Sequence, residues 1–400
     1  MTRGTEHMRH GDLADQRVGV FQAGGLSSLA LGVWLREQGV ASHHYVADLG
    51  QSDPDEIADL VASLRDAGLP ASVVDLRPRM AEIGLDLLRY QARHDGGYWN
   101  TTGAARLVLV EQLTPVLRAD GCTVLAHGCV GGGNDQRRFA AYAREFAPDL
   151  RVYAPWTDPD ALERFAAGRG AMLNAVKDAG FFLDRGSDAD RSTDACLAGA
   201  SHESSALEDL ATPVDAGSLT PRWSVYPSEA PAQAETVAVS FDAGRVTDVD
   251  GSGPDPVDVL RTARDLGARH GVWLRDVVER RIIGTRCRGV YEAPGLEILD
   301  TAWQRVLEVC LDPHARGLYQ SLGPVLGAAV YEARYASPVA AAARAAIDEL
   351  VRPATATVRL VLHRGTARVA GIDAPGVGHD QQTRFGTGGN RWREPIVGLR

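Results

Sequence analysis

Two short stretches of this chain carry residues that could bind small charged ligands. The first is Ala23-Gly24-Gly25, which joins an apolar segment to a segment with the periodicity of a helix. Glycines at such a junction let backbone N–H groups and the N-terminus of the helix face a phosphate group. A Gly-Gly pair between a strand and a helix is also an ordinary tight turn, so this pattern alone is weak evidence for an anion site.

The second stretch, residues 123–139, contains an apolar segment that ends at His127, followed by a run of glycines and then Asn134, Asp135 and Arg138. Glycines allow close approach of the backbone, and the three polar residues supply an amide, a carboxylate and a planar set of N–H donors. The alternative is that Asn134 or Asp135 only caps the helix that follows. From these residues alone, a binding site and a helix cap are equally good interpretations.

Both stretches belong to a regular alternation of strand-like and helix-like segments between residues 17 and 155. The strand-like segments are residues 18–22, 44–48, 72–76, 123–127 and 151–154. Asp53-Pro54 is a helix start signal, because Asp is a good N-cap and Pro suits the first helical position. The alternation predicts an α/β fold with a mostly parallel sheet covered on both faces and with ligands at the carboxyl ends of the strands.

The pattern changes after residues 158–183, which read as one or two helices. Residues 184–205 and 211–235 are rich in small and polar residues and are predicted to be long surface loops. Strand patterns, helices and a hairpin-like pair at 354–363 and 367–372 then predict a separate α+β domain without the strand–helix alternation. We expect a disordered N-terminus at 1–16, the first domain at 17–185, the second at 186–375 and a flexible tail at 376–400.

Composition excludes several classes of protein. The 400 residues are 44% hydrophobic, with a formal net charge of −10 and a sequence pI near 5.6, which argues against a broad surface for nucleic acid or anionic membrane. The five cysteines form no CxxC pair, so neither a disulfide framework nor a metal site is expected. The N-terminus lacks an apolar signal segment and no run approaches the length of a membrane span, so we expect a cytoplasmic protein.

The chain resembles the argininosuccinate synthase family from about residue 17 to residue 372. Segments that match the family in its own order are residues 45–51, 126–128, 133–136, 138–139, 154–156, 278–279, 288–294 and 357–360. The resemblance implies an N-type ATP pyrophosphatase domain, of the adenine nucleotide alpha hydrolase-like type, joined to a synthetase and oligomerisation domain. It also implies that the AMP moiety of ATP activates the ureido oxygen of citrulline, after which the amine of aspartate displaces AMP.

The resemblance assigns roles to individual residues. It implies that Asn134 and Asp135 are catalytic, with Asp135 meeting the incoming ammonium group. Residues implied to bind the amino-acid substrate are Tyr98, Thr102, Arg106, Asn134, Asp135, Arg138, Ser192, Ser201, Glu203, Glu279 and Tyr291. Residues implied to bind the nucleotide are Ala23, Gly24, Gly25, Ser27, Ser28, Ala47, His127 and Gly128.

The chain departs from the family at its phosphate loop, which in the family reads Ser-Gly-Gly-x-Asp-x-Ser. Ala23 and Leu29 replace the two serines, and Ser27 replaces the aspartate. Each lost hydrogen bond to a charged group is worth about 1.5–3 kcal/mol. ATP and Mg²⁺ remain the candidate cofactors, with this altered loop arguing against them.

Four further departures lie near the substrates. Val130 and Gly132 replace a threonine used on aspartate and a lysine near the phosphates, while Gly103 and Cys196 replace a serine and an asparagine. The changes leave the amino-acid side of the site intact and remodel the side of the nucleotide and the nucleophile.

Three functions are consistent with this pattern. The first is a C–N ligase of specialised amino-acid metabolism that joins citrulline or a citrulline-like amino acid to an amine such as aspartate. The second is an ATP-independent lyase, hydrolase or transferase acting on an arginine-like amino acid, with His127, Cys129, Asp135 and Glu279 as titratable candidates. The third is a ligand-binding pseudoenzyme. In each case the partners are a small amino acid and further copies of this chain, as a dimer or a tetramer.

Overall fold

The computed structural model describes residues 8–129, 133–181, 191–375 and 377, and its first part is built on a parallel sheet. The strands of this sheet are β1 (Val18–Gln22), β2 (Ser42–Asp48), β3 (Ala71–Asp75), β4 (Val124–His127) and β5 (Arg151–Tyr153). Their spatial order is β3-β2-β1-β4-β5, and every neighbouring pair is parallel. The order reverses between β1 and β4, so the chain segments that leave these two strands face the same crevice.

Helices cover both faces of the parallel sheet. They are α1 (Leu26–Glu37), α2 (Pro54–Asp66), α3 (Arg77–Arg89), α4 (Thr101–Ala119), α5 (Asn134–Phe146), α6 (Pro159–Arg164) and α7 (Arg169–Asp178). Apolar side chains of α1, α2 and α7 pack with Val18 and Val20 on one face. Those of α3, α4 and α5 pack with Phe21 and Tyr45 on the other. Because successive strand residues point to opposite faces, the uninterrupted burial of β1 reflects this double covering.

The second part of the chain contains two antiparallel sheets and five helices among the described residues. The first sheet has the order β10 (Leu274–Arg280), β11 (Arg286–Glu292), β7 (Gly199–Ser204), β6 (Arg191–Cys196). The second has the order β13 (Thr366–Asp373), β12 (Ala356–His363), β8 (Glu235–Asp242), β9 (Arg245–Val249). The helices are α8 (Ser205–Glu208), α9 (Pro256–Arg269), α10 (Pro294–Cys310), α11 (Pro313–Tyr331) and α12 (Pro338–Leu350).

One cluster of buried apolar side chains runs through both parts, from Tyr45 and Phe139 to Trp303 and Val358. Helices α3 and α9 pack against each other across the junction. The β6–β7 turn also reaches the first sheet, where the Leu197 N–H donates to the Leu49 carbonyl over 2.7 Å. The two parts therefore bury a shared core. No helix among the described residues is long and apolar enough to cross a membrane.

The expectation of a surface loop at 184–205 is wrong for the described residues of that range. Residues 191–204 form the β6–β7 hairpin, in which Asp194 pairs with Ser201. Its strands lack the alternation of apolar and polar residues that identifies most strands, because one face carries the polar groups of a site. Residues 182–190 lie outside the described part of the chain.

The expected disorder of residues 1–16 is wrong for residues 8–16. His10–Leu13 form a 3₁₀ turn, and Leu13 is fully buried. The His10 N–H donates to Asp158 Oδ2 over 2.7 Å, and the same carboxylate accepts from the Tyr153 hydroxyl and the Asp160 N–H. These contacts offset the entropy of ordering a polar segment.

The domain boundaries stay predictions. The expected flexible tail at 376–400 lies outside the described residues, except for Val377.

Candidate active site

The candidate site lies where the polar face of the sheet β10-β11-β7-β6 meets the N-terminal ends of α4 and α5. Pairing places Ser201 opposite both Asp194 and Tyr291, and places Glu279 opposite Cys287. Since strand residues two apart share a face, these side chains project from the same side of the sheet. Strand pairing thus fixes the relative positions of these sheet residues. Further polar side chains of the site come from the first turns of α4 and α5.

Tyr331, the last residue of α11, lies in the middle of this site. Its hydroxyl accepts from Asn134 Nδ2 over 3.0 Å and donates to Glu279 Oε1 over 3.3 Å. Asn134 Oδ1 in turn accepts from the Ile282 N–H over 3.0 Å. The Asn134 amide is therefore fixed in orientation and joins helix α5 to both the β10–β11 turn and the end of α11.

Aromatic rings pack against one another beside these polar groups. The Tyr98 and Tyr291 rings are stacked with their centroids 3.8 Å apart, and His94 stacks on Tyr331 at 3.5 Å. The Arg138 guanidinium lies 4.7 Å from the centroid of the Tyr331 ring, which adds a cation–π contact. Burial raises the pKa of Tyr291, and the neighbouring Tyr98 and Glu279 add to the rise. The phenols are therefore neutral at ordinary pH and act as hydrogen-bonding groups.

Two buried charged groups of the site have an atom without a hydrogen-bond partner among the described residues, and Arg106, which is less buried, also leaves its Nε without one. Arg138 donates through Nε to the Tyr331 carbonyl and through Nη1 to Asp135, which leaves Nη2 unpartnered. Glu279 accepts through Oε1 and leaves Oε2 unpartnered. The two residues are 3% and 5% exposed. Leaving charged atoms unpaired in a buried site is costly, so the pocket is complementary to a ligand with one anionic and one cationic group.

A cluster of ion pairs closes one side of the pocket. Arg106 Nη2 lies 2.9 Å from Asp135 Oδ2 and 2.5 Å from Asp194 Oδ2. Burial acts to raise the pKa of Asp135, but the adjacent Arg106 and Arg138 outweigh it and lower the pKa below its usual value. Burial raises the pKa of Asp194, and the neighbouring Asp135 carboxylate adds to the rise, while Arg106 opposes it. Asp135 is therefore held ionised, with both of its oxygens engaged.

The hydroxyl groups lie at the edge of this cluster. Thr102 Oγ1 and Ser201 Oγ are 3.4 Å apart, and Ser201 Oγ donates to the Asp194 carbonyl over 3.5 Å. Ser192 and Glu203 pair across the edge strand, are exposed, and line a cavity of about 180 Å³. They share the polar face of the sheet with the pocket but lie at its open end.

The glycine turn that follows β1 lies beside the segment that follows β4. A Cβ on Gly128 would lie 2.8 Å from the Ser28 backbone nitrogen, so only glycine permits this approach. Within the turn, the Gly24 N–H donates to Gln22 Oε1 over 3.1 Å, and Ser28 Oγ donates to the Gly25 carbonyl over 2.9 Å. The donors at this turn are thus partly used within the chain itself.

Comparison with known proteins gives the family. The model described as the arginosuccinate synthase N-terminal HUP domain matches residues 17–177, and the model described as the arginosuccinate synthase C-terminal domain matches residues 191–383. The chain belongs to the argininosuccinate synthase family. The predicted family, the predicted α/β fold class and the predicted C–N ligase class of enzyme are therefore confirmed.

A curated relative agrees with this assignment. The argininosuccinate synthase of Erythrobacter litoralis (strain HTCC2594) is 32% identical over 367 residues, which cover 90% of this chain and 89% of that protein. A solved structure described as a predicted subunit of tRNA methyltransferase from Methanocaldococcus jannaschii DSM covers 41% of this chain and 88% of its own at 16% identity. Its TM-score is 0.27, which supports no structural argument.

Argininosuccinate synthases use ATP, and the donors of the turn after β1 bear on whether this chain binds its phosphates. One backbone donor of the turn is bound to Gln22, and Ala23 and Leu29 have no hydroxyl. Leu29 is 2% exposed and packs in the core with Val18. The side chain at position 29 therefore points into the protein. Val130 and Gly132, the altered positions after β4, lie outside the described residues.

The structure brings most of the amino-acid set into one network. The connected residues are Tyr98, Thr102, Arg106, Asn134, Asp135, Arg138, Ser201, Glu279 and Tyr291, whereas Ser192 and Glu203 lie at the open end. Of the nucleotide set, Gly24, Gly25, Ser27, Ser28 and Gly128 are adjacent, and Ala23 is exposed.

Two residues of the nucleotide set face elsewhere. His127 points to α5, where its ring stacks on Phe139 at 4.6 Å, and burial lowers its pKa to about 4. Ala47 is buried in β2, and its carbonyl accepts from Gln51 Nε2 over 2.9 Å. The Ala47 side chain has no polar group, and His127 Nδ1 accepts from the Cys129 N–H while its Nε2 has no partner among the described residues.

Sequence reasoning missed two residues with a direct effect on the site. Tyr331 ends a mostly apolar helix and has the pattern of a core residue, and Gln22 is the last residue of a buried strand. Of these two residues, only Gln22 gives a signal in the sequence. A glutamine in an otherwise apolar strand is expected to be buried, and a buried polar group needs hydrogen-bond partners.

Proposed function

We propose that this chain binds citrulline or a citrulline-like amino acid and joins it to an amine such as aspartate through a C–N bond. The observation that carries the proposal is the pair of buried unpartnered atoms Arg138 Nη2 and Glu279 Oε2, on two side chains that both contact Tyr331. An α-carboxylate would pair with the guanidinium and an α-ammonium with the glutamate, and such charge-assisted bonds are the strong ones. The Tyr98 and Tyr291 rings exclude water from these pairs, which strengthens them further.

In this proposal Asp135 and Asn134 act at the side-chain end of the substrate. The lowered pKa of Asp135 keeps its carboxylate ionised, so that it attracts the ammonium form of the attacking amine. Asn134, fixed by Tyr331 and Ile282, positions the substrate and the Asp135 helix relative to each other. Ser201 and Thr102 offer hydroxyl groups along the same wall.

A second candidate function is an ATP-independent reaction on an arginine-like amino acid in the same pocket. The Gly24 N–H bound to Gln22 favours it, because that donor is not directed to a phosphate. The two candidates share the amino-acid pocket and differ in whether a nucleotide is needed. A urea oxygen is a poor leaving group, so C–N bond formation at citrulline needs an activating group, whereas lyase or hydrolase chemistry does not.

Calorimetric titration tests the amino-acid pocket. We expect citrulline to bind, N-acetylcitrulline, which lacks the ammonium, not to bind, and Glu279→Gln to weaken citrulline binding by about 10- to 100-fold. Glu308→Gln is the matched control, because Glu308 lies at the surface, where it pairs with Arg305. Equal citrulline affinity in Glu279→Gln and the native chain would refute the proposed pocket.

Product analysis separates the candidate reactions. Purified protein is incubated with citrulline and aspartate, with and without Mg-ATP, and in parallel with argininosuccinate alone, followed by mass spectrometry. A new C–N product that requires Mg-ATP supports the ligase. Conversion of argininosuccinate without nucleotide supports the second candidate, and binding without any product leaves the pseudoenzyme.

We also propose that the protein is a cytoplasmic homo-oligomer, either a dimer or a tetramer. Leu318 and Val325 are seven residues apart on α11, so they share one face of that helix, and both are exposed, as is Val339 on α12. An exposed apolar stripe of this kind suits contact with another copy. Light scattering during size-exclusion chromatography gives the mass, and a monomer at micromolar concentration would contradict the proposal.

A further inference from the structure

Gln22 makes unusual contacts for the last residue of a central strand. It is 4% exposed, and its side chain folds under the first turn of α1. Its Oε1 accepts from the Gly24 N–H over 3.1 Å, and its Nε2 donates to the Ser28 carbonyl over 3.2 Å. One carboxamide thus joins the end of β1, the glycine turn and the start of α1.

His44 on the neighbouring strand supports this carboxamide. His44 is fully buried, and its Nδ1 lies 3.5 Å from Gln22 Nε2, while its Nε2 lies 3.5 Å from Ser42 Oγ. Burial lowers the pKa of His44 to about 4, so its ring is neutral near pH 7 and has one nitrogen able to accept. A Cβ on Gly32 would lie 2.7 Å from this ring, so the glycine in α1 makes room for it.

These contacts fix which atom of Gln22 faces the turn. The carboxamide nitrogen faces Ser28 and His44, and the carboxamide oxygen therefore faces Gly24. A backbone anion site needs successive N–H groups that converge on one ligand. Here the Gly24 N–H is directed to a side-chain oxygen inside the protein, and that oxygen carries a partial negative charge.

We propose that Gln22 determines the ligand specificity of the glycine turn by binding the Gly24 N–H and so excluding oligophosphates such as those of ATP or pyrophosphate. The proposal concerns a different set of residues from the amino-acid pocket, and its test needs no amino acid. It favours the nucleotide-independent candidate reaction, because a ligase that activates citrulline with ATP needs this turn to bind the phosphates.

The test uses inorganic pyrophosphate with Mg²⁺ as the first probe and Mg-ATP as the second. Gln22→Met keeps the length of the side chain and removes both hydrogen-bonding atoms, which frees the Gly24 N–H. We expect this variant to bind pyrophosphate at least tenfold more tightly than the native chain in calorimetric titration. Hydrogen exchange of residues 22–28 should slow on pyrophosphate addition in Gln22→Met but not in the native chain.

Two further variants serve as controls. Gln38→Met makes the same chemical change at the exposed C-terminal end of α1 and should leave pyrophosphate affinity at the native value. Gln22→Glu keeps an oxygen for the Gly24 N–H and adds negative charge, so it should show no gain in affinity. If Gln22→Met fails to fold, Gln22→Asn, which is one methylene shorter, replaces it with the same expected gain.

Two outcomes would overturn the proposal. One is tight pyrophosphate or Mg-ATP binding by the native chain with slowed exchange at residues 22–28. The other is a folded Gln22→Met variant whose pyrophosphate affinity equals that of the native chain. Citrulline titration of the same samples tests the amino-acid pocket separately, so failure of one proposal is distinguishable from failure of the other.

Discussion

At the scale of single residues, the pocket depends on groups that a helix end brings in from a distant part of the sequence. The Tyr331 hydroxyl links Asn134 to Glu279, which are 145 residues apart in the chain. The residue types of Asn134, Arg138 and Glu279 were predictable from the family pattern, because each belongs to a motif. The role of Tyr331 was not, because a tyrosine in an apolar helix satisfies the rules for a core residue equally well.

The Tyr331 hydroxyl should stabilise the protein without ligand. Tyr331→Phe removes the hydroxyl donor to Glu279 Oε1 and leaves that buried oxygen with the weaker Cys287 thiol, whose sulfur is 3.8 Å away, so we expect a loss of about 1–3 kcal/mol in the free energy of unfolding. Tyr142→Phe is the control, because the Tyr142 hydroxyl is buried and has no partner among the described residues. Urea denaturation measures both, and an equal loss in the two variants would contradict this role.

Two buried histidines should make stability depend on pH. Burial lowers the pKa of both His44 and His127 to about 4, whereas the unfolded chain takes up protons near pH 6.5. Below pH 6.5 the unfolded state therefore binds more protons, and stability falls as the pH falls until the folded state is protonated near pH 4. We expect each histidine to cost about 2 kcal/mol between pH 7 and pH 5. His127→Gln should reduce the measured fall by about that amount, and an unchanged fall would contradict it.

At the scale of elements, strands with an apolar pattern were predictable and strands that line the site were not. β1 occupies the predicted residues 18–22, since both of its faces are buried. β6 and β7 were predicted to be loop, because Asp194 and Ser201 face a polar site and give no apolar alternation. Strand assignment by periodicity assumes that one face meets an apolar core, and the polar face of this sheet breaks that assumption.

In helix α1, sequence comparison identified Leu29 only as a position without a hydroxyl group, whereas the structure shows a buried side chain there. Restoring the family residues at its start should act through the core as well as through the turn. Leu29→Ser removes a buried side chain from the packing against β1 and should cost about 2–5 kcal/mol, whereas Ser27→Asp places a carboxylate at the helix N-terminus and should gain about 0.3–1 kcal/mol. Thermal unfolding of the two single variants measures both effects. Leu162→Ser, at an exposed position of α6, is the control, and a comparable loss there would contradict the packing argument.

At the scale of the whole molecule, the two parts of the chain share a core. The junction was not predictable from sequence, because it depends on close approaches that only the assembled fold creates. Gly84 in α3 is such a point: a Cβ there would lie 2.9 Å from Leu260 Cδ2 and 3.0 Å from Ala198 Cβ. A glycine within a helix normally weakens it, so packing across the junction is the physical reason for this one.

A change at that junction should therefore destabilise both parts together. Gly84→Ala inserts a methyl group into the contact with Leu260 and Ala198 and should cost about 1–3 kcal/mol. Gly170→Ala in α7 is the matched control, because nothing lies within 4 Å of its added Cβ, and it should gain about 0.5–1 kcal/mol from helix propensity. Differential scanning calorimetry should show one transition that moves down in the first variant and up in the second. Two separate transitions in the native chain, with only one of them moved by Gly84→Ala, would mean that the parts unfold independently despite their common core.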